Sequence, residues 1–389
     1  MPVGVERVLS RSPGVDARRL EAAVERFARR IASGRFPGAQ LALRHRGVEV
    51  ARAWGGVARG LRAAEEGAFD VGPETRFPCF SAGKPVVAFA VALLESRGRL
   101  AAGDLVTQHA PRLGGPAWDA VTILDVLTHR SGILLPELCA TPAAWADRER
   151  VRAALAAARP AYRRGRLAYA PLEYGWILGE IVEQVDGRRF ERFVGEEIAA
   201  PAGLGDFGFG ADESVRPRIA RSYWLGRRPV VVAGRDVARD FEAVNDSPLL
   251  HAASVPGAGL VASAPALARF YDLLLPSSLA ARPGLLDDGT LARWTRCEHT
   301  GFDRSNRAPL AVGRGLLFGT LGPSVYGLLD ARGVFGHAGA FCALGFADPA
   351  RALSGAIVTN ANRGRRELVV EFAGQVAALR RAVAREQRR

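Results

Sequence analysis

The sequence predicts an α+β fold with two packed lobes. Strand-like patterns lie near both ends of the chain, the long middle reads mainly as helices broken by proline and glycine, and 389 residues with 48% hydrophobic content exceed what one core usually holds. We expect the two ends to share one antiparallel sheet flanked by helices. The predicted sheet lobe comprises residues 1–80 and 292–389, the helical lobe comprises 81–291, and the cleft between them is the expected place for a ligand.

Helical and alternating patterns define the first half of the chain. Asp16 to Ile31 has the periodicity of an amphipathic helix, and Gln40 to Ala58 alternates as a hairpin that turns near Arg46-Gly47. A strand-like stretch over 76–80 is followed by a helical recurrence of apolar residues from Ser81 to Arg97. A further helix is predicted from Pro171 to Val185.

Four strands and one helix are predicted near the other end. The strands cover 315–319, 324–330, 341–347 and 354–359, and the helix runs from Glu367 to Ala384. Their position after the helical middle is what favours one sheet built from both ends.

The net charge of +13 does not indicate a nucleic-acid partner. The 53 basic residues are 52 arginines and one lysine, and the arginines are scattered without an aromatic-interleaved patch. The C-terminal cluster from Arg380 to Arg389 is interpreted as the solvated end of a helix.

Neither a membrane span nor export is predicted. The longest apolar run, Pro85 to Leu94, is half of the roughly 20 residues that a spanning helix needs. Residues 1–19 lack the apolar stretch of a secretory signal, so we expect a cytoplasmic protein. The four cysteines and six histidines show no ligand spacing; we therefore expect buried thiols without disulfides, no metal and no cofactor.

The single lysine, Lys84, is the most informative residue. Arginine replaces lysine wherever only a positive charge is wanted, but a guanidinium keeps its proton at physiological pH and a buried ammonium need not. Lys84 is therefore a candidate base, although one lysine can also survive by accident. A serine, Ser81, lies three positions earlier at the expected helix start, where burial and the helix dipole would lower the pKa of the amine. The alternative is that Ser81 only caps the helix.

Ser81 and Lys84 form a Ser-x-x-Lys motif, and the chain resembles the serine β-lactamase and penicillin-recognising family that carries it. The stretch 121–132 looks like the family's segment after the nucleophile helix, in which His129 is structural. The resemblance implies a β-lactamase/transpeptidase-like fold.

Tyr169 falls where the family keeps a tyrosine base. It would act as a phenolate favoured by a nearby cation, or as a relay to a lysine that is already neutral. Pro171 stands where β-lactamases and transpeptidases usually have an asparagine that binds the substrate amide. That departure makes the chain more similar to the family VIII carboxylesterases.

Residues 335–349 look like the family's third motif, Lys/His-x-Gly on an inner strand. The resemblance implies that the Ala340 N–H pairs with the Ser81 N–H as an oxyanion hole beside Gly339, and that His337 binds substrate or orients Tyr169 and Lys84. Residues 254–270 resemble the turn that leads into a family helix.

These residues predict a serine hydrolase that forms an acyl-enzyme on Ser81. The expected partner is a small-molecule ester or thioester, or an amide; the alternatives are a biosynthetic acyltransferase or cyclase that takes carrier-bound acyl groups, a β-lactamase or DD-peptidase, and a non-catalytic binding protein. Four tryptophans could line the pocket, although each is more often a core residue: Trp118, Trp145, Trp176 and Trp224.

Overall fold

The computed structural model describes residues 4–63, 65–211, 213–226, 231–232, 235–280, 285–320, 322–327, 330–340 and 342–386, without the side chains of 231–240, 280 and 365–368. Its strands are β1 Val5–Leu9, β2 Gly38–His45, β3 Val48–Arg59, β4 Phe69–Asp70, β5 Phe77–Pro78, β6 Phe207–Phe209, β7 Tyr223–Trp224, β8 Val231–Val232, β9 Arg235–Asp236, β10 Leu260–Ala262, β11 His299–Asp303, β12 Ala308–Val312, β13 Leu317–Phe318, β14 Phe335–Gly339, β15 Ala343–Asp348, β16 Leu353–Thr359 and β17 Ala361–Asn362.

The α-helices are α1 Ala17–Ala32, α2 Lys84–Ser96, α3 Val106–His109, α4 Ile123–Leu127, α5 Pro136–Cys139, α6 Arg148–Ala156, α7 Glu173–Asp186, α8 Phe190–Val194, α9 Ala200–Ala202, α10 Val237–Asn245, α11 Pro248–Ala252, α12 Ala264–Asp272, α13 Ser277–Ala280, α14 Asp288–Trp294 and α15 Arg365–Arg381. Among the described residues, no helix is both long enough and apolar enough to cross a bilayer.

One large antiparallel sheet joins the two ends of the chain, which confirms the predicted α+β fold. Its strand order is β1-β3-β2-β16-β15-β14-β13-β12-β11, with β4 paired to β3. The two ends meet where β16 pairs with β2, from Leu353 opposite His45 to Thr359 opposite Ala39. Sequence patterns missed the edge strands β1 and β11, and also β12, which lies next to β11.

The predicted hairpin is present as β2 and β3. Its two-residue turn, Arg46 and Gly47, has φ of 50° and 75°. Positive φ at both turn positions matches the right-handed twist of the flanking strands, and Gly47 adopts it at no steric cost. The hairpin is therefore specified locally.

The described residues of the strand predicted over 324–330 do not form that strand. Ser324 and Gly327 form an isolated bridge around a tight turn, and residues 328 and 329 lie outside the described residues. The predicted strand over 341–347 corresponds to β15; residue 341 is outside the described residues. The strand predicted over 315–319 shortens to β13.

The sheet has an apolar layer on each face. Leu41, Leu43 and Ile357 pack with α1 and α15, whereas Ala42 and Ala356 belong to a second core that contains α2, α7 and α12. This division follows the period of two along a strand. Asp16 caps α1 by accepting a hydrogen bond from the Arg19 N–H, as the predicted helix start requires.

Helix α12 lies inside the range predicted as the helical lobe but packs on the sheet. The ring of its Tyr271 lies so close to Gly345 that a β-carbon there would be 2.1 Å from it. The proposed boundary at 291 therefore separates the lobes in sequence only approximately, and the two-lobe division stays a prediction.

Two surface predictions are wrong. Arg380 is not part of a solvated helix end: its guanidinium is 1% exposed and hydrogen-bonds to Asp348 at 2.7 Å and to Asp330 at 3.1 Å. Cys297 is exposed rather than buried, although all four cysteines are free as predicted. Ion pairs with distant carboxylates can bury an arginine such as Arg380, and the composition of the surrounding segment does not reveal such partners.

Candidate active site

Ser81 lies in a tight 3₁₀ turn between β5 and α2, not at the first turn of an α-helix. The turn spans Phe80–Gly83, and the Lys84 N–H donates to the Ser81 carbonyl. Phe80 has a φ of 48°, a left-handed conformation that a non-glycine residue adopts only when its surroundings hold it there. Because a 3₁₀ turn has about three residues per turn, the Ser81 and Lys84 side chains lie on the same side, as the spacing predicts.

The Lys84 amine is buried and lies among three oxygen atoms. Nζ is 3.0 Å from Ser81 Oγ, 2.6 Å from the Pro171 carbonyl oxygen and 3.0 Å from the Gly257 carbonyl oxygen. The residue is 0% exposed. Both carbonyls can only accept, so they fix two of the N–H directions of the amine.

The packing of α7 brings both carbonyls to Lys84. A β-carbon at Gly175 would lie 1.9 Å from the Gly257 nitrogen, so only glycine lets the helix approach this segment. Helix α7 begins at Glu173 rather than at the predicted Pro171. Pro171 therefore precedes the helix and contributes its carbonyl to the site, where the family usually offers an asparagine side chain.

Burial lowers the pKa of Lys84 to about 7, and the nearby Glu173 carboxylate partly opposes that shift. The sequence predicted the direction and its first cause. With a pKa of about 7, a large fraction of the amine is uncharged at neutral pH. Glu173 is itself buried and accepts hydrogen bonds from the Leu135 and Leu172 backbone N–H groups.

Tyr169 joins the same cluster. Lys84 Nζ is 5.1 Å from the centre of its ring, and a hydrogen bond with Ser81 partly offsets the effect of burial on the phenol. Burial raises the pKa of Tyr169 well above its usual value. The hydroxyl therefore stays protonated, which favours the relay over the phenolate among the two predicted roles.

Three buried residues position Tyr169 and Lys84, and two of them, Asp303 and Tyr174, have no sequence signal. Asp303, at the end of β11, accepts from the Tyr169 N–H at 2.8 Å, and the His129 ring lies 4.5 Å from the Tyr169 ring. His129 Nδ1 accepts from the Ala170 N–H at 3.1 Å. The buried Tyr174 donates to the Lys84 carbonyl at 3.3 Å. Only His129 was singled out from sequence, and its contacts fit the structural role.

His337 is close to the cluster, and its hydrogen bonding defines its protonation. Its ring is 6.0 Å from that of Tyr169, and Nδ1 is 2.7 Å from the Ala338 carbonyl oxygen. Nδ1 must donate to that oxygen, so in the neutral ring Nε2 is an acceptor; this buried atom has no partner among the described residues. Burial lowers the pKa of His337 to about 3.

Strand β14 lies against the turn that carries the serine. A β-carbon at Gly339 would be 1.8 Å from the Cys79 carbonyl oxygen, so the third motif requires glycine here. Ala340 follows with a φ of 35°, and Asn362 donates a side-chain hydrogen bond to its carbonyl. The backbone after Gly339 thus runs beside Ser81, where the predicted pair of N–H groups is needed.

The four tryptophans divide between core and cavity. Trp118 is fully buried in the core, Trp224 packs against Phe241, and Trp145 and Trp176 line cavities near the helical core. No group of three histidine, cysteine or carboxylate side chains suited to a metal ion occurs in the described part of the chain.

A Ser-x-x-Lys turn that lies beside a tyrosine and an inner strand of the large antiparallel sheet is typical of serine acyl-transferring enzymes. The sequence matches the family described as Beta-lactamase over residues 21–378. The chain belongs to this family, which confirms the resemblance identified from the motifs.

Two curated relatives are named as esterases. Esterase EstB from Burkholderia gladioli is 31% identical over 337 residues, which cover 78% of this chain and 81% of EstB. Esterase/beta-lactamase LipL from Mycobacterium tuberculosis is 27% identical over 371 residues, covering 88% of this chain and 81% of LipL. The protein is therefore a serine hydrolase of the β-lactamase family that is related to esterases.

The fold is shared with solved members of the group. A penicillin-binding protein homologue from Caulobacter crescentus is 27% identical, covers 97% of this chain and 100% of its own, and superposes with a TM-score of 0.78. This similarity confirms the predicted β-lactamase/transpeptidase-like fold.

Proposed function

We propose that the protein hydrolyses a small-molecule ester or thioester through an acyl-enzyme on Ser81, with Lys84 as the base and Tyr169 as the proton relay. The observation that carries this proposal is the buried Lys84 amine, 3.0 Å from Ser81 Oγ and otherwise bonded to two carbonyl oxygens.

The two carbonyls determine how the neutral amine faces the serine. A neutral amine has two N–H groups and one lone pair, and Pro171 and Gly257 each take one N–H. The lone pair is then left for the Ser81 O–H. Lys84 can accept the serine proton as Oγ attacks the substrate carbonyl carbon, which is the arrangement of an activated nucleophile.

Tyr169 completes the proton path. As the tetrahedral intermediate collapses and the bond to the leaving oxygen or sulfur breaks, the proton on Lys84 moves through the Tyr169 hydroxyl to the leaving group. Water then attacks the acyl-enzyme along the same path in reverse. The raised pKa of Tyr169 suits this role because the hydroxyl donates one proton as it accepts another and never remains a phenolate.

The Ser81 and Ala340 N–H groups are the proposed oxyanion hole. The close approach of Gly339 to the Cys79 carbonyl supports it, because this contact brings the backbone of β14 to the nucleophile turn. Backbone N–H groups that already point at the developing oxyanion stabilise it without any cost of reorganisation.

Pro171 and His337 favour an ester over a β-lactam. Pro171 offers no side-chain amide to bind a substrate amide, and the pKa of His337, lowered to about 3 by burial, keeps its ring neutral at physiological pH. The neutral His337 ring does not attract the carboxylate of a β-lactam substrate, whereas a cationic side chain at this position of β14 would hold it.

Intact mass spectrometry after incubation with a fluorophosphonate tests the proposal. We expect one adduct on the wild type and none on Ser81→Ala, together with hydrolysis of short p-nitrophenyl esters that is faster than opening of nitrocefin. A wild-type protein without an adduct would indicate a binding protein instead. Preferred opening of nitrocefin would indicate a β-lactamase.

A further inference from the structure

A side cavity lies next to the nucleophile turn and has no role in the proton path. Its volume is about 50 Å³, and apolar side chains form most of its wall: Phe80, Trp145, Leu250, Val255 and Val261. A single water needs roughly 10–15 Å³, so the cavity can take an arm of about three to five heavy atoms.

Covalent neighbours tie the side cavity to the catalytic residues. Phe80, in its wall, immediately precedes Ser81, and Ala258 immediately follows Gly257, whose carbonyl holds Lys84. A group bonded to the reacting carbonyl can therefore extend from Ser81 into this space. The Phe80 ring also packs against Phe241, at 5.9 Å between ring centres, and this contact helps to keep the wall in place.

Two polar residues, Asn245 and His251, also line the cavity, and the hydrogen bonding of His251 defines its protonation. His251 Nε2 is 2.7 Å from the Asn245 carbonyl oxygen, and a carbonyl only accepts, so Nε2 carries the proton. In the neutral ring Nδ1 is then a bare acceptor. Nδ1 is buried and has no hydrogen-bond partner among the described residues.

The tryptophan in the wall cannot satisfy this acceptor. Trp145 Nε1 already donates to the Leu138 carbonyl at 3.0 Å, so only its apolar face is available to the cavity. Burial lowers the pKa of His251, which keeps the ring neutral and its lone pair free. An unpaired buried acceptor costs free energy that a donor on a ligand would recover.

We infer that the side cavity is a specificity pocket for an ester with a short apolar arm that ends in an O–H or N–H donor, which His251 Nδ1 accepts. The inference rests on the proposed function and narrows its substrate class. The arm can belong to the acyl group or to the alcohol, and paired substrates distinguish the two.

The test compares the kcat/KM of isosteric esters that differ only at the end of the arm. For the acyl side the pair is p-nitrophenyl 6-hydroxyhexanoate and heptanoate; for the alcohol side it is 6-hydroxyhexyl acetate and heptyl acetate. The cavity takes the last three to five heavy atoms of each arm, and the remaining atoms connect them to the ester group. For one of the pairs we expect the wild type to prefer the hydroxylated ester by about tenfold, the usual scale of one buried hydrogen bond.

His251→Phe removes the acceptor and should bring that preference to about one. The ratio of two esters cancels any general loss of activity. Leu249→Ala is the matched control, because Leu249 lies on the same helix α11 and is 56% exposed. It should keep the wild-type ratio.

Three outcomes overturn the inference. A wild-type ratio near one for both pairs refutes it without any variant, and so does a preference that persists in a folded His251→Phe. These results leave the esterase proposal intact if Ser81-dependent hydrolysis is present. Absence of Ser81-dependent hydrolysis of all four esters refutes the function and the inference together.

Discussion

The rate of acylation should follow the titration of one amine. Lys84 has a pKa of about 7 because it is buried. The neutral fraction of such an amine rises from about 9% at pH 6 to about 91% at pH 8, whereas with an ordinary pKa near 10.4 it would stay below about 1% over that range. We therefore expect kcat/KM to increase about tenfold between pH 6 and pH 8 and then level off.

His129, His337 and Tyr169 do not titrate in this window. Burial lowers the pKa of His129 and His337, so both rings stay neutral above pH 6, and burial raises the pKa of Tyr169, which stays protonated. A single inflection near pH 7 in the profile is therefore the signature of Lys84.

The assay is initial-rate hydrolysis of p-nitrophenyl butyrate between pH 5.5 and 9.5, with Ser81→Ala as the blank for spontaneous hydrolysis. kcat/KM is the proper quantity because it reports the free enzyme and the acylation step. Lys84→Arg should lose about 10²- to 10⁴-fold at every pH because a guanidinium stays charged. A wild-type rate that is flat from pH 6 to pH 8, or that still rises tenfold per unit at pH 9, would refute the reasoning.

Three further predictions concern the relay, strand β14 and the buried ion pairs of Arg380. Tyr169→Phe should lower kcat/KM for p-nitrophenyl butyrate about 10²- to 10⁴-fold while circular dichroism stays unchanged; a loss below threefold would remove the relay. Gly339→Ala places a methyl carbon 1.8 Å from the Cys79 carbonyl oxygen, just before the nucleophile turn, so we expect kcat/KM to fall at least about tenfold. Gly208→Ala is the control and should leave kcat/KM unchanged, because its methyl group meets nothing within 4 Å. Arg380→Met should lower the free energy of unfolding in urea by about 3 kcal/mol, and Arg381→Met, at an exposed position, should lower it by less than about 0.5 kcal/mol. Equal effects would show that the buried ion pairs do not stabilise the fold.

Local signals made the central elements predictable. The hairpin β2–β3 has alternation on both sides of a turn with glycine, α1 has a capping aspartate, and the Ser-x-x-Lys spacing survives within a 3₁₀ turn because three residues still make about one turn. In each case residues near in sequence determine the geometry.

What the sequence did not reveal depends on contacts between distant segments. The carbonyls of Pro171 and Gly257 hold Lys84, but every residue has a carbonyl, so no residue type marks these two. The edge strand β11 and its neighbour β12 show no clean alternation of apolar and polar residues in the sequence, and most of their residues are not fully buried. Arg380 was assigned to the surface from its arginine-rich neighbourhood, because its acidic partners lie 32 and 50 residues away in sequence.

The protonation state of Lys84 can be observed directly, because the chain contains one lysine. Lysine labelled with ¹³C at Cε and ¹⁵N at Nζ gives a single side-chain signal, whose chemical shift is followed from pH 5 to pH 11 in the folded wild type. The account predicts a midpoint near pH 7. A signal that stays that of an ammonium up to pH 10 would contradict it, because the serine would then have no base.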